Sequence, residues 1–152
     1  WIRKFIIVLN EISTNKSSFH CAILWFRNKH FIAINDERMH AEIRVIRKFF
    51  NLYINKNRKL LKKKLRFKLF IGRFHFNSRR KLIRTSLSKP CLSCSKEIRK
   101  LSKQYSIKVF WTNNDNKITE SIDGNQLNIG KPSSSFKKKI RYFKNNHNRP
   151  SL

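Results

Sequence analysis

Two short motifs place side chains that could do chemistry: His40-Ala41-Glu42 and, far downstream, Pro90-Cys91-Leu92-Ser93-Cys94. His40, Cys91 and Cys94 offer one imidazole and two thiols. Structural zinc sites are closed by four protein ligands, whereas hydrolytic sites use three and leave one corner for water. The pattern supplies three. Cys21 lies in an apolar run that reads as core, and His20, His30, His75 and His147 have no spacing that ties them to the motifs. Thiols three residues apart at a helix start face one ion, and the helix dipole and amides favour their ionised form.

Glu42, one of only eight acids in the chain, follows the histidine by two residues. It is then a proton shuttle between water, a ring nitrogen and a leaving amine. Read alone, it is an acid at a helix start, stabilised by the dipole. Each motif alone is common: Cys-x-x-Cys also serves redox pairs and structural zinc. Together they match the H-x-E and P-C-x-x-C signature of zinc deaminases, in which a zinc ion activates water for attack on a nucleobase.

These motifs need two helices and a sheet beneath them. Ile2, Phe5, Ile6, Leu9 and Ile12 recur at helical spacing, which predicts an N-terminal amphipathic helix with its apolar face on the sheet. Cys21 to Phe26 and Phe31 to Asn35 read as strands joined through Arg27–His30. Ile43, Val45, Ile46, Phe49 and Phe50 suit a helix that begins at the first motif and ends near Tyr53. Leu65 to Ile71 reads as a third strand. Pro90 fits a first helical turn, with Ser88 as its cap, and Cys91, Cys94, Ile98 and Leu101 form one stripe. Ile107 to Thr112 and, weakly, Lys117 to Ile122 complete a five-stranded expectation.

The 152 residues of 18.4 kDa allow one compact domain and a tail. With 39% hydrophobic residues and three each of Gly and Pro, collagen-like and wholly disordered classes are excluded. We divide the chain into a domain over 1–125 and a basic tail over 126–152. Lys and Arg number 36 against 8 acids, a net charge of +28, which points to an anionic partner. AT-rich coding, visible in the abundance of Lys, Asn, Ile and Phe, accounts for part of that excess. Between Lys56 and Arg84 lie thirteen Lys or Arg and no acid. Arg66, Lys68, Arg73 and Lys62–Lys64 could follow a phosphate backbone, while Phe67, Phe74 and Phe76 are either core residues or stacking faces. Three cysteines are too few for a disulfide framework, so a reducing, intracellular setting such as the cytoplasm is expected. No apolar run reaches the roughly 18 residues of a membrane span. Trp1 in place of Met is read as a truncated start.

The order of elements and motifs resembles the cytidine deaminase-like superfamily, in the branch whose first ligand is histidine, from about residue 2 to 122. That resemblance implies a three-layer α/β/α sandwich around a mixed sheet, with a zinc ion held by His40, Cys91 and Cys94 and Glu42 as the catalytic acid and base. It implies substrate contacts at Asn35, Ala41, Ser88 and Pro90. The implied activity is hydrolytic deamination of a nucleobase, cytosine-type favoured, in a nucleotide or single-stranded nucleic acid, with no membrane partner and homo-oligomers allowed. The other reading is a basic nucleic-acid-binding module with a purely structural zinc. The chain departs from the family at Arg44, where many relatives carry asparagine, in the long basic stretch between the motifs, and in the short Asp36–Met39 loop.

Overall fold

The computed structural model describes residues 17–56, 64–79, 82–114, 117–119 and 121–127. The expected helix over Ile2–Ile12 and nearly all of the expected tail lie outside them.

Aromatic and β-branched residues alternate through β1 (Ser18–Phe26) and β2 (Lys29–Ile34), which pair antiparallel. Phe26 faces Lys29 across the pair, so the connection is the two residues Arg27 and Asn28, shorter than the sequence suggests. Arg27 takes φ 54, the positive value that primed hairpin turns require. Its guanidinium lies 5.1 Å from the Phe26 ring centroid. Helix α1 (Ala41–Phe49) follows a short loop and runs into a π turn, Phe50–Ile54. The Asn55 N–H closes that turn on the Phe50 carbonyl at 2.9 Å. The wider turn lets Phe49, Phe50 and Tyr53 all join one aromatic cluster with Phe26, Phe31, Phe67 and Tyr105.

Strand β3 (Arg66–Phe76) is the longest and lies at the centre. Strand β4 (Leu82–Ser86) turns back on its far half, helix α2 (Leu92–Ser102) crosses over, and β5 (Ser106–Trp111) returns parallel to its near half. Two-residue β6 (Ile122–Asp123) and a 3-10 turn (Gly124–Gln126) follow. The order is β2-β1-β3-β5-β6, with β4 beside β3 beyond the end of β5. The sheet is therefore mixed, as expected, but has six strands and not five. The unforeseen strand is β4, whose five residues carry Arg84 in their middle and pair only with the extension of β3. The Lys117–Ile122 strand reduces to a bridge between Thr112 and Ile118 and the short β6.

Alternate positions of β1 feed two apolar clusters, because successive strand side chains point to opposite faces. Ala22, Leu24 and Phe26 join Val45, Ile46 and Phe49 of α1 and Ile98 of α2, so both described helices pack on one face. Phe19, Cys21 and Ile23 join Phe70 and Phe74 on the other. The chain is thus α/β. The described residues place no helix on that second face, and the expected third layer lies outside what they show. Phe67 and Phe74 are buried core residues and Phe76 stacks on Phe19, so the β3 aromatics serve packing. Gly72 leaves room for the Phe74 ring, which a Cβ there would strike.

Candidate metal centre

Two helix starts converge at one end of the sheet. His40 is the N-cap of α1 and Cys91 the N-cap of α2. Both caps are extended and neither uses its side chain to cap, which leaves the imidazole and the thiol to face each other. The Cys91 and Cys94 Sγ atoms each lie 3.4 Å from His40 Nδ1. One ligand atom from each of the three residues falls within 4.8 Å of the others. Thiolate and imidazole suit zinc in a tetrahedral site. Among the described residues no fourth His, Cys, Asp or Glu completes the cluster.

The start of α2 differs from the expected one. Pro90 precedes the cap instead of entering the first turn, and Ser88 does not cap the helix. Its buried hydroxyl donates to the Ile71 carbonyl at 3.0 Å and meets Thr112 Oγ1 at 2.8 Å. Its N–H donates to the Thr112 carbonyl at 3.1 Å. Ser88 thereby anchors the segment leading to Cys91 where β4 and β5 part from β3. Pro90 is buried, and its carbonyl accepts the Ser95 hydroxyl at 3.3 Å.

Asn35 takes over what His40 leaves undone. Its Oδ1 accepts the Ala41 N–H at 2.7 Å, satisfying the first orphan donor of α1. The loop between them is tied by Asp36, which accepts the N–H groups of Arg38 and Met39 at 2.9 and 2.7 Å. Those two bonds, and Arg44 and Arg38 nearby, hold the Asp36 carboxyl below its ordinary range. Arg44, at the position where the sequence departs from the family pattern, pairs with Asp36 at 3.2 Å and donates to the Ile34 carbonyl.

The thiols and the carboxyl form a proton-sharing group in the metal-free protein. The hydrogen bond from Cys94, assisted by the backbone N–H groups of Cys94 and Ser93 and by His40, brings Cys91 down to about 5. Cys94 is pushed up by the same bond, by burial and by Glu42. Glu42 is 1% exposed, and burial raises its carboxyl to about 7. It touches the Cys94 thiol, while its Oε2 is buried without a hydrogen-bond partner. Two thiols and an imidazole, with a buried carboxyl oxygen left unpartnered beside them, form a donor set that fits a metal ion such as zinc.

These groups open on a cavity of about 770 Å³, within the size range of small-molecule sites. Its lining includes His40, Glu42, Cys91, Cys94, Asn35 and Ser88. Ala41 and Pro90 are not among its lining residues. Ala41 is fully buried, with its N–H committed to Asn35. Two further lining residues are not tied to the two motifs by sequence: His20, and Arg73, which reads there only as part of a basic strand face; they are Cα partners across β1 and β3. His20 Nε2 is buried without a partner, and burial, with Arg73 and His40 nearby, holds its pKa down at about 4. Cys21 next to it is core, as expected.

No protein-family model matches the chain, and no curated protein matches it. No helix among the described residues is long and apolar enough to cross a membrane.

Proposed function

We propose that the chain is a zinc-dependent hydrolytic deaminase of the cytidine deaminase-like type, acting on a nucleobase amino group, cytosine-type favoured. The observation that carries this reading is Glu42: a buried carboxyl with an unpartnered oxygen, set against a three-ligand cluster with no fourth donor among the described residues. His40, Cys91 and Cys94 would hold zinc, which when bound makes water a nucleophile near neutral pH and polarises it toward the ring carbon.

The chain's own groups do the rest. Glu42 would take a proton from the water that adds to the ring carbon and pass it to the ring nitrogen, then take the proton of the added hydroxyl and deliver it to the amino nitrogen as the C–N bond breaks, leaving a carbonyl and ammonia. Its elevated affinity for protons suits both directions of transfer near neutral pH. Asn35, its Oδ1 already engaged, presents the amide Nδ2 as a donor toward the cavity. The N-cap position of Cys91 directs the Ser93 and Cys94 N–H groups at its own sulfur and favours the Cys91 thiolate.

The test is ammonia release with zinc supplied, across cytidine, deoxycytidylate, adenosine, guanine and a single-stranded oligonucleotide. Turnover of one member that vanishes in Glu42→Gln supports the reading; zinc retention without turnover on any member rejects it.

A second reading, a nucleic-acid-binding module with architectural zinc, is favoured by a separate cavity of about 570 Å³ at the other end of β1 and β3. Trp25, Lys68 and Lys108 are neighbours across three strands there, with Arg27 and Arg66 beside them and Asp123 next to Lys108. Like charges opposite each other in a sheet repel, and a phosphate backbone relieves that repulsion. Salt-sensitive oligonucleotide binding with no ammonia release supports this module.

A further inference from the structure

Among the described residues β2 is the outermost strand on one side of the sheet, and its middle carries no charge: Phe31-Ile32-Ala33-Ile34 is an apolar, β-prone run without proline. An outer strand of that kind is a template on which another strand can pair. The other margins are poor templates, since β6 has two residues and β4 has Arg84 at its middle. Strand β2 has neither protection in its own sequence.

The hairpin fixes where its backbone groups point. The Asn35 N–H donates inward to the His20 carbonyl at 3.0 Å, and successive residues of a paired strand alternate inward and outward. Ile32 and Ile34 therefore turn their N–H and carbonyl groups away from β1. Cations of α1 take both carbonyls: Lys48 Nζ donates to the Ile32 carbonyl at 3.2 Å, and the Arg44 guanidinium to the Ile34 carbonyl at 3.1 Å. The match is one of spacing. Four residues of helix advance about 6 Å and two of strand about 6.8 Å, so side chains one turn apart on α1 meet alternate carbonyls of β2. Asp36 holds the Arg44 guanidinium from its other side at 3.2 Å. Neither cation lines the metal cavity, so the proposed reaction gives them no role.

We infer that Arg44 and Lys48 close the edge of β2 to strand addition, and that the strand they exclude is β2 of a second copy of this chain. An incoming strand would have to displace two charge-assisted hydrogen bonds and lie against two cations. The second copy is the self-complementary case: in a two-fold antiparallel contact the run Phe31–Ile34 meets itself, apolar against apolar. The inference stands apart from the deaminase reading and survives or fails without it.

The test removes both guards from the full chain in the double variant Arg44→Ala, Lys48→Ala. Its control, Arg99→Ala with Lys100→Ala, takes the same two charges from an exposed stretch of α2. A second control, Asp36→Ala, frees the loop and leaves both guards. Arg44→Lys with Lys48→Arg keeps a donor at each place. All the replaced residues are exposed, so folding is not at stake. Sedimentation velocity follows mass against protein concentration, and amide hydrogen exchange compares Ile32 and Ile34 with their inward neighbours Phe31 and Ala33. The guardless variant is expected to rise about twofold in mass with concentration while exchange at Ile32 and Ile34 slows about tenfold or more. The native protein, both controls and the donor-keeping variant show neither change. An unchanged mass in the guardless variant overturns the inference, as does native exchange at Ile32 and Ile34 already as slow as at Phe31 and Ala33. Association of the α2 control to the same degree assigns the effect to net charge, and association of Asp36→Ala assigns it to the loop; either overturns the inference. Association of the guardless variant without protection at Ile32 and Ile34 places the contact elsewhere and overturns it too.

Discussion

Asn35 Oδ1 accepts the Ala41 N–H at 2.7 Å, and so caps a helix whose own N-cap residue, His40, has its imidazole turned to the thiols. The His40 imidazole is free to face the thiols, where it could hold a metal ion, because a residue from the preceding strand end does the capping. Asn35→Ala should therefore cost about 1 kcal/mol of stability and weaken zinc binding along with it. Asn35→Asp keeps the acceptor and removes the amide donor. It should keep zinc and stability yet lose affinity for the nucleobase substrate. Thermal melts and zinc titrations of both variants separate the roles; identical losses in the two would show that only the cap matters.

Glu42 and Cys91 should fail differently. Glu42→Gln preserves shape and leaves all three ligands, so zinc should stay bound while turnover falls by 10²-fold or more, roughly the value of a positioned acid and base. Cys91→Ser removes a ligand at the N-cap of α2 and should lose zinc and loosen both helix starts. Zinc content by elemental analysis, beside ammonia release, tells the two apart. Comparable zinc loss in both would undo this division of labour.

The metal cluster was legible because its ligands sit in two short motifs at helix starts, and helix starts announce themselves locally through capping positions and the onset of an apolar stripe. His40, Cys91 and Cys94 could be placed together before any register was known. His20 and Arg73 could not. Their proximity is a matter of strand pairing, which depends on partners far apart in the chain. One signal was present: a two-residue turn at Arg27-Asn28 sets His20 opposite Asn35, but the sequence lacks the Asn-Gly or Asp-Gly that marks such turns. Strand β4 escaped for a related reason, being short, basic and stabilised by the far half of β3. Ser88 was visible as a polar residue before a helix, and its capping role was the local reading; tertiary contacts with Ile71 and Thr112 outcompete it.

Those contacts make Ser88 a support for the site. Ser88→Ala leaves the Ile71 carbonyl without its side-chain donor and takes a partner from Thr112 Oγ1, which retains its bond to the Ser86 carbonyl at 2.8 Å. The Ile71 carbonyl keeps the Thr112 N–H at 3.0 Å, so the expected cost is about 1 kcal/mol. Because the segment runs directly to Cys91, zinc affinity should fall with it, whereas Ser93→Ala, an exposed change on the next turn, should leave stability nearly unaltered. Urea midpoints and zinc titrations of the two variants measure this. Equal stability of both would mean that the segment is held by backbone bonds alone.

Opposed proton linkage links the two unpartnered groups in the metal-free protein. Burial raises Glu42 from 4.5 to about 7, so between these values the folded state holds a proton that the unfolded chain has released. Stability from this group falls as pH rises through that window. His20 is lowered from 6.5 to about 4, chiefly by burial, so between those values the unfolded imidazole takes a proton that the folded one refuses. Stability from this group falls as pH drops through its window. The windows overlap and oppose each other; Cys91, held down at about 5, adds stability above that pH, so each group is read from the difference between its variant and the native protein. Glu42→Gln removes the first contribution: the variant should gain on the order of 1–2 kcal/mol at neutral pH and lose stability on acidification. His20→Gln removes the second, so its advantage over the native protein should shrink as pH rises from about 4 to 6.5. Urea midpoints of the metal-free proteins, taken as variant minus native across this range, should therefore slope in opposite directions for the two variants. Difference profiles of the same sign would mean that the fold does not shift Glu42 and His20 in opposite directions.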